Sequence, residues 1–172
     1  MIFDSLLILV LLICLITDIK SRKIYNKVIF PALIVAIILH AFAPFGSGIL
    51  FSLTGFGVGL ALLLIPYLMG GMGAGDVKLL ALVGALKGAM FVMTTGIYMA
   101  IIGALIALFV IMFRKGALRR LKSIVYTVSS YKHGIKIPLA LDKDALQTTY
   151  PYGVAIAGGA FMSLLAKGWL IL

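Results

Sequence analysis

Glutamate is absent from this chain of 172 residues, and its acid is confined to five aspartates against 15 lysines and arginines. That removes the H-E-x-x-H helix of a zinc protease, whose glutamate serves as general base. A single cysteine, Cys14, excludes an internal disulfide and any cysteine-cluster metal site. The only histidines, His40 and His133, fall on opposite faces of the expected topology, so no metal site is expected. Charge of either sign is scarce. Only 12% of residues are charged, where a soluble domain carries about a quarter. Hydrophobic residues reach 63%, with a mean hydropathy of +1.22. A soluble globular domain is therefore excluded.

What remains is a succession of apolar runs long enough to cross a bilayer, which predicts an all-α, polytopic membrane protein. Six spans are expected: Ile2 to Thr17, Val28 to Phe42, Ile49 to Met69, Asp76 to about Lys87, Phe91 to Phe113, and Tyr152 to Leu172. The N-terminal run lacks the basic start and small-residue cleavage pattern of a signal peptide, so it is expected to be retained. The whole chain, 1–172, is expected to form one membrane-embedded domain with no separate soluble domain. Its one long polar stretch is 114–150. There Leu118, Leu121, Val125 and Val128 recur at helical spacing among Arg119, Arg120 and Lys122, as in a basic amphipathic helix on an anionic membrane surface. A solvated connecting loop is the equal alternative.

The formal net charge of +10 resembles the signature of a nucleic-acid binder, but its distribution points to lipid instead. Lys20, Arg22, Lys23 and Lys27 lie between spans one and two, Lys78 lies at the start of span four, and eight basic residues lie between Arg114 and Lys143. With six spans these regions share one side, and only Lys87 and Lys167 fall near the other. The positive-inside rule places the basic regions in the cytoplasm and both termini outside. No nucleic acid is expected as a partner, whereas membrane lipids are.

The same parity acts on the aspartates. Asp4 falls at the outer end, and Asp142 and Asp144 belong to the polar segment. Asp18 closes span one and Asp76 opens span four, so both reach the cytoplasmic rim. A carboxylate near hydrocarbon is costly, about 3 kcal/mol at a helix centre and less at the rim. Each could be an interfacial cap, and aspartate is a good N-cap. Two carboxylates brought together support different chemistry. They share a proton, so one can take a proton from water while the other polarises a scissile carbonyl. Gly70, Gly71, Gly73 and Gly75 precede Asp76, permitting positive φ angles and close backbone approach, or simply a tight turn. An extended peptide could pair with such a stretch.

At these residues the chain resembles the aspartic prepilin peptidases, the type IV leader peptidases of the G-x-G-D group. Gly73–Ala74–Gly75–Asp76, followed by Val77–Lys78, is similar to the second catalytic motif of that family. Asp18 to Asn26, with Arg22 and Lys23 between, resembles the first, except that Tyr25 stands where the family usually has proline. Pro151–Tyr152–Gly153 resembles its C-terminal element. The resemblance implies that Asp18 and Asp76 are the catalytic pair. It implies supporting or substrate-binding roles for Gly73, Gly75, Lys78, Arg22, Asn26, Pro151, Tyr152 and Gly153. It implies prepilin or pseudopilin precursors as substrates, cleaved at the cytoplasmic face, with no cofactor. Larger relatives carry a cysteine-rich N-terminal region associated with N-methylation. Its lack here resembles the short, peptidase-only members that serve Flp-type pili. Outside that family, membrane carboxylates and glycine-broken helices also fit a small ion-coupled transporter, or a non-catalytic subunit of a secretion or pilus complex.

Overall fold

A computed structural model describes residues 2–42, 48–113 and 152–169, and among these it is helical throughout. Six helices follow in chain order: α1 (Ile2–Ser21), α2 (Asn26–Phe42), α3 (Ile49–Leu68), α4 (Ala74–Lys87), α5 (Ala89–Phe113) and α6 (Tyr152–Trp169). Residues 1–103 and 149–172 form one compact unit, and 104–148 form a second whose described part is the end of α5.

Among the described residues three helices are long and apolar enough to cross a membrane: Ile2–Ser21, Ile49–Leu68 and Ala89–Phe109. Asn26–Phe42 and Tyr152–Ala166 are apolar but shorter. At 14 residues α4 is the shortest, rising only about 21 Å. Leu9, Ile16, Ile34, Leu50, Ile65 and Ile97 turn outward from the bundle and stay exposed, as on a surface solvated by lipid tails.

The six described helices fall on the six apolar runs, three of them long enough to span, and several of their ends differ from those expected. The first apolar run was read as stopping at Thr17, yet α1 continues through Ser21, because hydropathy marks a membrane boundary and not a helix end. Asp18 therefore sits inside the last turn. The helix ends in a left-handed cap whose residue is Arg22 (φ 50°), with its N–H on the Asp18 carbonyl at 2.8 Å. The glycine pair after α3 makes a Schellman stop: Gly71 N–H bonds the Pro66 carbonyl, Gly70 N–H bonds that of Tyr67, and Gly70 takes φ 77°. The break between α4 and α5 is the single residue Gly88 (φ 84°), over which the Phe51 ring lies so closely that a Cβ would meet it at 2.2 Å. The polar stretch 114–150 and the turn at 43–47 lie outside the described residues.

The core is organised around α4, which is buried from Asp76 to Leu86 except at Lys78. Gly55 and Gly59 on α3 let the two backbones touch: a Cβ at Gly55 would lie 2.0 Å from the Gly84 carbonyl oxygen, and one at Gly59 would lie 2.6 Å from that of Leu80. Such small-residue crossings join helices where hydrophobic burial gives no advantage over lipid. At the far end of α4, its last carbonyls take bonds from neighbouring helices. Ser52 Oγ donates to Ala85 O at 2.9 Å, and His40 Nε2–H donates to Leu86 O at 3.2 Å. Lys87 pairs there with Asp4, which fixes α1 and α4 as antiparallel neighbours. On the other flank, α5 and α6 meet through Gly159, against the Thr95 carbonyl, and through a Thr95–Ser163 hydroxyl bond of 3.2 Å.

Candidate active site

The antiparallel run of α1 and α4 brings the end of the first helix to the start of the fourth. Asp18 lies on the last turn of α1 and is 5% exposed; Asp76 lies in the first turn of α4 and is 9% exposed. Both carboxylates line one cavity of about 350 Å3, together with Arg22, Lys23, Ile24, Tyr25, Asn26, Gly73 and Gly75. They are close enough for their charges to interact, and Arg22 is close enough to attract Asp18.

Each carboxylate is placed at a helix N-terminus. Asp76 is the third helical residue and not the N-cap, which is Gly73 (φ −79°). Its Oδ2 accepts the Gly73 N–H at 3.2 Å, closing the acidic half of a capping box. Asp18 faces the first backbone amides of α6, those of Gly153 and Val154. The approach is tight, since a Cβ at Gly153 would lie 2.6 Å from Asp18 Oδ2. That same Oδ2 is buried and has no hydrogen-bond partner among the described residues. Helix N-termini favour negative charge, whereas burial and the neighbouring carboxylate oppose it.

Of the residues singled out in the sequence, Arg22, Asn26, Gly73 and Gly75 join the two aspartates at the cavity, and Gly153 packs on Asp18. Tyr152 opens α6, and Pro151 lies outside the described residues. Lys78 is not at the cavity. Its ammonium donates to Asn26 Oδ1 at 3.1 Å and stands 5.5 Å from the Phe30 ring centre, tying α2 to α4. The motif glycines also differ from expectation. Gly70 alone of the four takes a positive φ. Gly75 is occupied by the protein itself: its would-be Cβ lies 2.9 Å from Ile24 Cβ, so the α1–α2 connector rests on the start of α4. The closeness of Ile24 to Gly75 and of Gly153 to Asp18 went unread, because neither pairing has a local sequence signal. Among the described residues no three of His, Cys, Asp or Glu gather as a metal site.

The model of the type IV leader peptidase family matches residues 5–108, which takes in both aspartates and every cavity residue. This chain belongs to the type IV leader peptidase family. The match covers more than half of the chain and makes the protein a membrane peptidase with prepilin-type substrates. No curated protein and no solved structure matches significantly. Gly153, which seals Asp18 from behind, lies beyond the matched residues.

Proposed function

We propose that this peptidase is an aspartic endopeptidase of the G-x-G-D type that removes the leader from prepilin or pseudopilin precursors, using Asp18 and Asp76. The observation that carries the reading is the shared cavity: two buried carboxylates, 58 positions apart in sequence, line one polar pocket at the same end of the bundle. An ion-coupled transporter would want such groups near the bilayer midplane. Here they occupy the last turn of one helix and the first turn of another.

The chemistry follows from the pair. The ionised member accepts a proton from a water held between the two carboxyls, and the oxygen attacks the scissile carbonyl carbon. The protonated member donates to the carbonyl oxygen as negative charge develops there. Collapse of the tetrahedral species expels the amine, which takes a proton from one carboxyl while a hydroxyl on the collapsing carbon returns its proton to the other, and the one-proton state is restored. Arg22 supports the ionised form of Asp18, and the α4 and α6 N-termini bias both groups in the same direction.

By the positive-inside rule, the basic residues beside the pair support a cytoplasmic location for this end, with both termini outside. The short α4 lets the pair sit shallowly, where water meets a thinned hydrocarbon layer. Asp18→Asn and Asp76→Asn each remove one partner, and each should abolish leader removal, scored by precursor mass after co-expression. Asp142→Asn and Asp144→Asn should process normally. Cleavage retained in either of the first two variants removes the assigned pair.

A further inference from the structure

A second cavity, apolar and about 300 Å3, lies along the seam between α1 and α6. Its walls are one face of each helix: Leu11 and Leu15 on α1, and Val154, Ala157 and Phe161 on α6, at spacings of three and four. No charged side chain lines it. Three residues beyond Leu15 the α1 stripe reaches Asp18, and one residue before Val154 the α6 stripe reaches Gly153. The groove therefore ends where Gly153 packs against the Asp18 carboxylate, with the unpartnered Oδ2 at that junction. The polar cavity begins on the other side of Asp18.

We propose that this α1–α6 groove seats the apolar helix of the precursor, so that the peptide bond preceding that helix is delivered to Asp18. The inference rests on the peptidase reading above and adds the docking surface to it. A membrane-anchored substrate cannot withdraw its apolar segment from the bilayer while its leader is cut, so that segment must lie against an outer wall that ends at the catalytic pair. On the connector side of Asp18 lies the charged cavity, with Arg22, Lys23 and Asn26 in its lining, which does not suit an apolar helix. The α1–α6 seam ends one turn from the site: Leu15 lies three residues before Asp18, and Val154 follows Gly153, which packs on the Asp18 carboxylate. From Ile8 to Asp18 it spans about 15 Å, half the hydrocarbon thickness, enough for the first three turns of a helix. The small side chain of Ala157 lowers the α6 wall so that a second helix can approach, and close contact of this kind holds apolar helices together in lipid.

The test uses the full chain in membranes and a type IV prepilin that it cleaves. Ala157→Phe fills the groove and should raise KM for the prepilin tenfold or more, with kcat changed less than about twofold. Ala100→Phe, exposed on α5, should change neither. In an Asp76→Asn background, which holds the precursor uncut, a benzophenone side chain at Leu12 should cross-link to the first turns of the precursor's apolar helix, and one at Leu50 should not. Unchanged KM in Ala157→Phe, or Leu12 cross-links only to lipid or to a second copy of the chain, overturns the dock. Loss of kcat without a KM change also overturns it, as damage to the site and not to docking. Cleavage with no Leu12 cross-link leaves the peptidase and removes the dock, whereas a Leu12 cross-link to a prepilin that the wild type never cuts leaves the dock and removes the peptidase.

Discussion

Replacing Gly55 by alanine tests the central contact of the fold. The added Cβ would lie 2.0 Å from the carbonyl oxygen of Gly84 and 2.7 Å from its carbonyl carbon. The obstacle is helical backbone, which has no rotamer to change, so α3 and α4 must part by roughly 1 Å or more before the contact becomes ordinary. Overpacking of this kind costs about 1–3 kcal/mol. The displacement also moves α4, which carries Asp76, and a misplacement of about 1 Å at a reacting centre can lower rate 100-fold. Gly57 supplies the internal control, since it lies on the same helix with no atom within 4 Å of its would-be Cβ. Gly57→Ala should stabilise α3 by about 0.5–1 kcal/mol, as alanine does in a helix interior. The two alanines, two residues apart, should therefore differ by about 2–4 kcal/mol in reversible unfolding in mixed micelles. Gly55→Ala should also lose most of its cleavage rate, and Gly57→Ala should keep it. If the pair unfold within about 0.5 kcal/mol of each other, the helices do not cross backbone to backbone and the placement of Asp76 derived from that crossing is wrong.

Asp18→Asn and Asp76→Asn should each reduce leader removal by at least about 100-fold, the usual worth of a positioned acid or base, while circular dichroism stays that of the wild type. Gly153→Ala puts a methyl 2.6 Å from Asp18 Oδ2, so the carboxylate or the start of α6 must shift; cleavage should fall tenfold or more with a stability loss of only about 1–2 kcal/mol, and full activity would refute the contact. Ser52→Ala leaves the buried Ala85 carbonyl without that bond and should cost about 1–3 kcal/mol in unfolding while kcat stays unchanged, because Ser52 lies at the far end of α4 from Asp76.

Much of this arrangement is legible before any coordinate. The meeting of Asp18 and Asp76 follows from counting crossings, since hydropathy defines spans and parity assigns their ends to a side. The Gly70–Gly71 stop is likewise readable, because a glycine pair after an apolar run marks a Schellman end. Other features depend on long-range contact. Nothing near Gly88 marks it as a helix break until Phe51 is found across it. His40, which sequence places only on the face opposite His133, bonds a carbonyl 46 positions away and stacks on Phe3 with ring centres 4.2 Å apart. Lys78 looks like part of the catalytic motif because it follows Asp76 by two, yet two residues along a helix is about 200° around it, so it faces α2 instead. Gly55 and Gly59 did carry a signal, a G-x-x-x-G spacing inside an apolar run, and it is the sequence mark of the closest crossing in the bundle.

The two carboxylates are held by different parts of the bundle, and this bears on how the pair can work. Asp76 moves with α4, which is fixed along its length by α3 and at its far end by Ser52 and His40. Asp18 moves with α1, whose inner face near that residue packs on α6 through Gly153. Between α1 and α4 themselves the contact is slight. Their relative position is set by α2 and α6, each of which packs on both, and by three local contacts: the Lys87–Asp4 pair at one end, the Ile24–Gly75 contact at the other, and the Lys78–Asn26 bond beside it. The second belongs to the short connector after α1, where Arg22 holds a left-handed conformation that costs a non-glycine residue about 1–2 kcal/mol, and the third to Asn26, the first residue of α2 after it. The connector is thus both the wall of the cavity and the spacer between its two acids. A basic, conformationally constrained loop between the first two helices is on this account part of the geometry of the proposed catalytic pair. That explains why the chain devotes a glycine, Gly75, to receiving it one residue before Asp76.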